Sequence, residues 1–107
     1  MGLVEPLRAV LEPFASKIVA AFVYGSVAKR QDTAASDIDL MVISDSVTYS
    51  DLFATREPFS PRLERAVNPT VYTRRQFNRR RDDATFVRRV LSQPRVWVIG
   101  SDDVIAA

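Results

Sequence analysis

Apolar residues recur at helical spacing at the start of the chain and then gather into unbroken runs. Leu3, Leu7, Val10, Leu11 and Phe14 share one face of a 3.6-residue period, which predicts an amphipathic helix over 3–15 with Pro13 near its end. Ile18 to Tyr24 is wholly apolar or aromatic and predicts a first strand over 18–24. A short helix over 26–30 and a polar loop over 31–36, rich in small residues, lead to a second strand over 37–43. Ser44 to Ser50 has loop composition, and Asp51 to Arg56 is a helical turn that Pro58 and Pro61 interrupt, after which Leu63 to Val67 resumes the pattern. Val67 to Thr73 is a third extended run. Pro69 removes a backbone donor there, which places the run at a sheet edge or makes it irregular. Thr73 is positioned to cap a helix carrying Phe77, and Phe86, Val90 and Leu91 mark a second helix that starts near Asp83. The alternating stretch Val96 to Ile99 is a last strand, stopped by Gly100.

Strands alternating with helices predict an α/β (α+β) fold, a small mixed sheet of about four strands with helices packed on it. At 107 residues the chain is sized for one core, so a single domain over 1–107 is expected. No apolar stretch reaches the length of a membrane span, and the first dozen residues lack the charge order of a secretory signal, so a cytoplasmic location and no membrane partner are expected. With 0 Cys and 0 His, disulfides, thiolate zinc sites and the commonest catalytic base are excluded. Any metal must then be held by oxygen, which restricts the choice to magnesium or manganese.

Charge divides unevenly. Residues 1–66 carry seven basic and nine acidic side chains, a balance of -2, whereas residues 67–107 carry eight Arg and four Asp, a balance of +4. The surplus centres on Arg74, Arg75, Arg79, Arg80, Arg81, Arg88 and Arg89. Such a run is ordinarily a solvated helix face, and without an aromatic platform or a nucleic-acid motif it gives nucleic acid the lowest rank among the partners considered.

The candidate chemistry lies between the first two strands. The apolar run ends in Gly25-Ser26, a pair able to turn the backbone and open a helix whose unpaired amides can receive a phosphate. Ten residues later comes Ser36-Asp37-Ile38-Asp39-Leu40. On a strand, Asp37 and Asp39 share one face while Ile38 and Leu40 point the other way, so both carboxylates address one point and suit a hard cation. Plainer roles exist for each residue: Ser26 as a helix cap, Gly25 as a turn former, the two Asp as solvent-facing strand residues. Asp is depleted in strands, however, and two at alternate positions inside an apolar run favour the metal role. Lys29, one helical turn after Ser26, is placed to set a positive charge beside a triphosphate or simply to face solvent.

The segment from Gly25-Ser26 to Ser36-Asp37-Ile38-Asp39-Leu40 resembles the signature of the minimal nucleotidyltransferases in the DNA polymerase beta superfamily, the MNT-like group. Val67 to Tyr72 and Phe86 to Gly100 resemble a branch of the same group, so the likeness runs from about residue 18 to 100. It implies a nucleotidyltransferase fold and magnesium-dependent transfer of a nucleoside monophosphate, with AMP the expected group, from a nucleoside triphosphate such as ATP. Asp37 and Asp39 would then be catalytic and metal-binding, and Gly25, Ser26 and Lys29 nucleotide-binding. Two departures stand out. Lys29-Arg30 replaces the Arg-Gly pair common in the family, and the strand after the Asp pair offers Asn68 or Thr70 at the position of the third carboxylate. An amide cannot serve as a base for a substrate hydroxyl.

Three functions are open to such a chain. The first is an enzyme that moves an NMP onto a protein or small-molecule hydroxyl. The second, implied by the resemblance, is an antitoxin-like subunit, catalytically weak, that binds or modifies a toxin of the HEPN ribonuclease type. The third is a nucleotide-binding regulatory module. Pairing of an exposed sheet edge near Pro69 with a second copy would give a homodimer.

Overall fold

A computed structural model of the chain describes residues 4–25, 38–54, 67–83 and 85–106. The elements are α1 (Val4–Leu11), a 3-10 segment (Glu12–Lys17), β1 (Ala20–Tyr24), β2 (Ile38–Ile43), α2 (Tyr49–Ala54), β3 (Val67–Tyr72), α3 (Arg74–Asp83), α4 (Thr85–Leu91), β4 (Val96–Ile99) and α5 (Asp102–Ala106). The strands form one mixed sheet in the order β3-β2-β1-β4. β1 is antiparallel to both β2 and β4, while β2 and β3 run parallel. This is the expected α/β architecture, and Pro69 lies on an edge strand as its missing N–H requires.

The two inner strands are apolar on both sides. Ala21, Val23, Ile38, Leu40 and Val42 pack on one face against Leu7, Val10 and Leu11 of α1 and Leu52 of α2. Ala20, Phe22, Tyr24, Met41 and Ile43 pack on the other against Phe77 of α3 and Val87 and Val90 of α4. Burial on both faces explains why β1 and β2 are continuous apolar runs instead of alternating ones.

Several boundaries differ from the sequence expectation. The first helix stops at Leu11 and continues as a 3-10 turn, with Pro13 near its N-terminus. Proline cannot donate the amide that an α-helix would need at that point. The first strand begins at Ala20 and not at 18, because the Ile18 N–H is taken by Ala15 O at 3.3 Å and the ladder starts with Val19 N–H to Ile43 O at 2.8 Å. α2 starts inside the expected loop, at Tyr49, because Thr48 and Asp51 cap each other's amides at 3.2 and 3.0 Å. α5 was not anticipated. The helix expected over 26–30, the loop over 31–36, the last two residues of the turn expected over 51–56 and residues 63–66 of the run expected to resume it lie outside the described residues.

The end of the sheet after β2 is closed by side-chain caps. Thr73 and Gln76 form a reciprocal capping box at α3, with bonds of 3.0 and 2.9 Å, which bears out the cap expected at Thr73. Asp45 accepts the Arg74 N–H at 3.0 Å. Ser44, 1% exposed, donates its hydroxyl to Lys17 O at 2.6 Å and accepts the Val47 N–H at 2.9 Å and the Ser46 N–H at 3.2 Å. Replacing it would strand the buried Val47 amide, whose desolvation costs about 1–3 kcal/mol when unpaired, and would leave the Lys17 carbonyl without its donor. Ser44→Ala is expected to lower stability by about 1–3 kcal/mol in urea-induced unfolding with an unchanged slope; a change under about 0.5 kcal/mol would show that water satisfies both groups.

Candidate functional site

The opposite end of the sheet collects the residues with candidate chemistry. Antiparallel pairing sets Tyr24, the last residue of β1, against Asp39, the second residue of β2. Parallel pairing sets Asn68 of β3 against Asp39 on its other side. Cross-strand partners share a face, so Tyr24, Asp39 and Asn68 lie in one row on the α3–α4 side of the sheet, with Thr70 one step further along β3. Asn68, the position that the sequence reading offers for a third carboxylate, is the cross-strand partner of Asp39.

Gly25 follows β1 with φ +82°, a conformation that residues with a Cβ adopt at a penalty. A Cβ on Gly25 would lie 2.6 Å from Asp39 Oδ2. The bare backbone of residue 25 is therefore what leaves room for the Asp39 carboxylate at the strand end. Asp39 is partly buried. Ser26, Lys29 and Asp37 lie outside the described residues, so of the five motif residues the structure positions Gly25 and Asp39 together.

Tyr24 is a member of the site that motif spacing does not single out. Its hydroxyl pKa is raised above the ordinary tyrosine value, chiefly by burial, against which a side-chain hydrogen bond to Thr70 acts, with a further rise from electrostatic interaction with Asp39 and Tyr72. Its ring meets Phe22 edge-on at 6.2 Å between centroids and Phe86 at 6.2 Å and 76°. An aromatic at the end of an apolar run ordinarily signals core, and only the register reveals that it borders the acidic end.

The donors at this sheet end are hard oxygens, a carboxylate on Asp39 and an amide on Asn68, and that chemistry suits magnesium or manganese. Among the described residues no group of three acidic, His or Cys side chains converges on one point. The arginines of α3 and α4 lie mainly on the exposed sides of those helices, with the Arg80 guanidinium 5.3 Å above the Tyr72 ring. Arg95 forms an ion pair with Asp102 at 2.8 Å. A depression of about 200 Å³ near Ser44, Thr48, Tyr49 and Gln76 lies at the far end of the sheet, where its polar groups are engaged in the caps described above. No helix among the described residues is long and apolar enough to cross a membrane.

Gly25→Ala is expected to cost about 1–3 kcal/mol of stability, read by chemical denaturation, from backbone strain and the displaced carboxylate; a neutral result would mean that residue 25 relaxes to negative φ. A second expectation concerns Tyr24. Because its folded-state pKa is raised, its contribution to stability is present below the unfolded value of about 10 and is lost as pH rises through the folded value. Alkaline ultraviolet titration should show a phenol ionising late, absent in Tyr24→Phe, and that variant should lose less stability above about pH 10. Identical titration curves for the two proteins would contradict it.

A family profile described as "Polymerase beta, Nucleotidyltransferase" matches residues 5–92. No curated protein sequence matches the chain. Among solved structures, a chain from a toxin-antitoxin crystal structure with AMP-PNP has a TM-score of 0.69 at 17% identity, over 98% of this chain and 79% of that one. A chain from a crystal structure of the toxin-antitoxin MntA-HpeT, carrying two Asp-to-Glu substitutions, has a TM-score of 0.70 at 12% identity, over 96% of this chain and 77% of that one. At such identities the likeness establishes the fold, and the profile carries the kinship. With β1, β2, β3 and both arginine-bearing helices inside the matched span, this chain belongs to the polymerase beta nucleotidyltransferase family.

Proposed function

We propose that the chain binds a nucleoside triphosphate with magnesium and transfers its NMP group, AMP being the expected one, to a hydroxyl of a protein or small molecule. The observation that carries this is the placement of the Asp39 carboxylate against the bare Gly25 backbone at one sheet end, in a chain of this family. Asp39 and Asp37 would hold the metal, and Gly25-Ser26 and Lys29 the phosphates. When bound, a divalent ion neutralises charge on the triphosphate and on the departing pyrophosphate. The remaining work is positioning. In the transfer, the acceptor oxygen bonds to the α-phosphorus as the bond to the bridging oxygen breaks and pyrophosphate leaves. Asn68 is too weak a base to take the acceptor's proton, which passes to water. Tyr24 stays protonated beside Asp39 and so adds no negative charge to the site.

Asn68 also favours a second role. With an uncharged amide beside Asp39, transfer would be slow, which would suit a subunit whose main task is to bind a protein partner. The solved structures that share the fold are described as toxin-antitoxin assemblies, one with AMP-PNP, and this supports both a protein partner and a triphosphate ligand. On this basis the chain is proposed as a one-domain, cytoplasmic, antitoxin-type nucleotidyltransferase whose acceptor is its partner, with a toxin of the HEPN type as the candidate.

The test is calorimetric titration with ATP, with and without magnesium. Wild-type protein is expected to bind only with the metal, and Asp37→Ala/Asp39→Ala to lose at least tenfold in affinity, a loss of about 1.4 kcal/mol. Asn68→Asp is expected to bind magnesium more tightly and to raise the rate of transfer from radiolabelled ATP. Metal-independent binding that the double variant keeps would overturn the nucleotidyltransferase role and leave partner binding as the function.

A further inference from the structure

We infer that Phe86 is the surface on which the nucleotide base stacks, and that the site consequently prefers purine to pyrimidine triphosphates. The inference rests on the nucleotide-binding role proposed above and adds its base selectivity. Phe86 lies in the first turn of α4, where Val87 and Val90 are buried but Phe86 is 39% exposed. A single exposed aromatic is unremarkable in itself. Its location is what matters here.

Phe86 ends a row of rings that crosses the sheet face toward the acidic end. Trp97 and Phe22 are 5.0 Å apart, Phe22 and Tyr24 6.2 Å, and Tyr24 and Phe86 6.2 Å. The three inner rings are buried or partly buried, and Phe86 is the member that reaches solvent. Tyr24 at once precedes Gly25, pairs with Asp39 and supports Phe86. A triphosphate held at the Gly25–Asp39 end therefore has near it an exposed ring that packs on Tyr24, the residue before Gly25. Such a ring binds any base through its π-face, and binds the larger purine faces more strongly. Among the described residues a second exposed aromatic, Tyr49, is 50% exposed at the opposite end of the sheet and serves as a control.

The experiment compares ATP, CTP and inorganic tripolyphosphate, each with magnesium, binding to the full chain as wild type, Phe86→Leu, Phe86→Trp and Tyr49→Leu. Wild type is expected to hold ATP about tenfold more tightly than tripolyphosphate, with CTP between them. Phe86→Leu should bring ATP down to the tripolyphosphate level while leaving tripolyphosphate unchanged, and Tyr49→Leu should match wild type. Phe86→Trp should keep the ATP preference and show fluorescence quenching by ATP beyond that of the wild type. Undiminished ATP affinity in Phe86→Leu, or an equal loss for ATP and tripolyphosphate, would overturn the inference. Should Phe86→Leu misfold, absence of the added quenching in Phe86→Trp would overturn it as well. Failure of wild type to bind either ATP or tripolyphosphate would defeat the nucleotide-binding role itself, a result distinct from base-independent binding, which defeats only the stacking.

Discussion

Because β1 and β2 are the inner strands of the sheet and are apolar on both faces, their register cannot slip without exchanging the contents of two cores. A shift by one residue would carry Phe22 and Met41 to the α1 side and Asp39 away from Tyr24. The core thereby holds the site. Hydrophobic burial along Ala20–Tyr24 and Ile38–Ile43 fixes where the strands meet, and the meeting point brings the Asp39 carboxylate to the turn at Gly25. The proposed site would take its geometry from the buried apolar side chains of these two strands.

The two ends of this sheet are finished differently. At one, Ser44, Thr48, Asp51, Thr73 and Gln76 pair with nearby backbone groups, so that the polar atoms there are consumed in capping. At the other, a carboxylate, an amide and a protonated phenol stand in one row next to a glycine with positive φ. Polar groups used for closure leave little to offer a ligand, whereas the row at the Gly25 end combines hard oxygen donors with an aromatic wall. This contrast is what favours the Gly25 end as the proposed site.

Family membership and the identity of residue 68 bear on different questions. Membership concerns the fold and the kind of chemistry, and the profile spans β1 through α4. Asn68 bears on the proposed transfer, since it lies in register with Asp39 and carries no charge. An uncharged neighbour reduces repulsion around Asp39 and also removes a proton acceptor.

Much of this was legible in the sequence, because local rules sufficed for it. Apolar runs marked the strands, Pro69 marked an edge, Gly100 marked the end of β4, and the Asp-apolar-Asp alternation after Gly-Ser pointed to the family. Boundaries that depend on hydrogen-bond competition were less so: the 3-10 turn beginning at Glu12, the start of α2 at Tyr49 and the existence of α5 turn on which amide finds which acceptor. The pairing of Tyr24 with Asp39, the position of Asn68 beside it and the approach of Phe86 to Tyr24 were decided only by the tertiary fold. Periodicity states which face of a strand a residue occupies, but strand order and register arise from packing two cores at once, and that is a property of the whole chain.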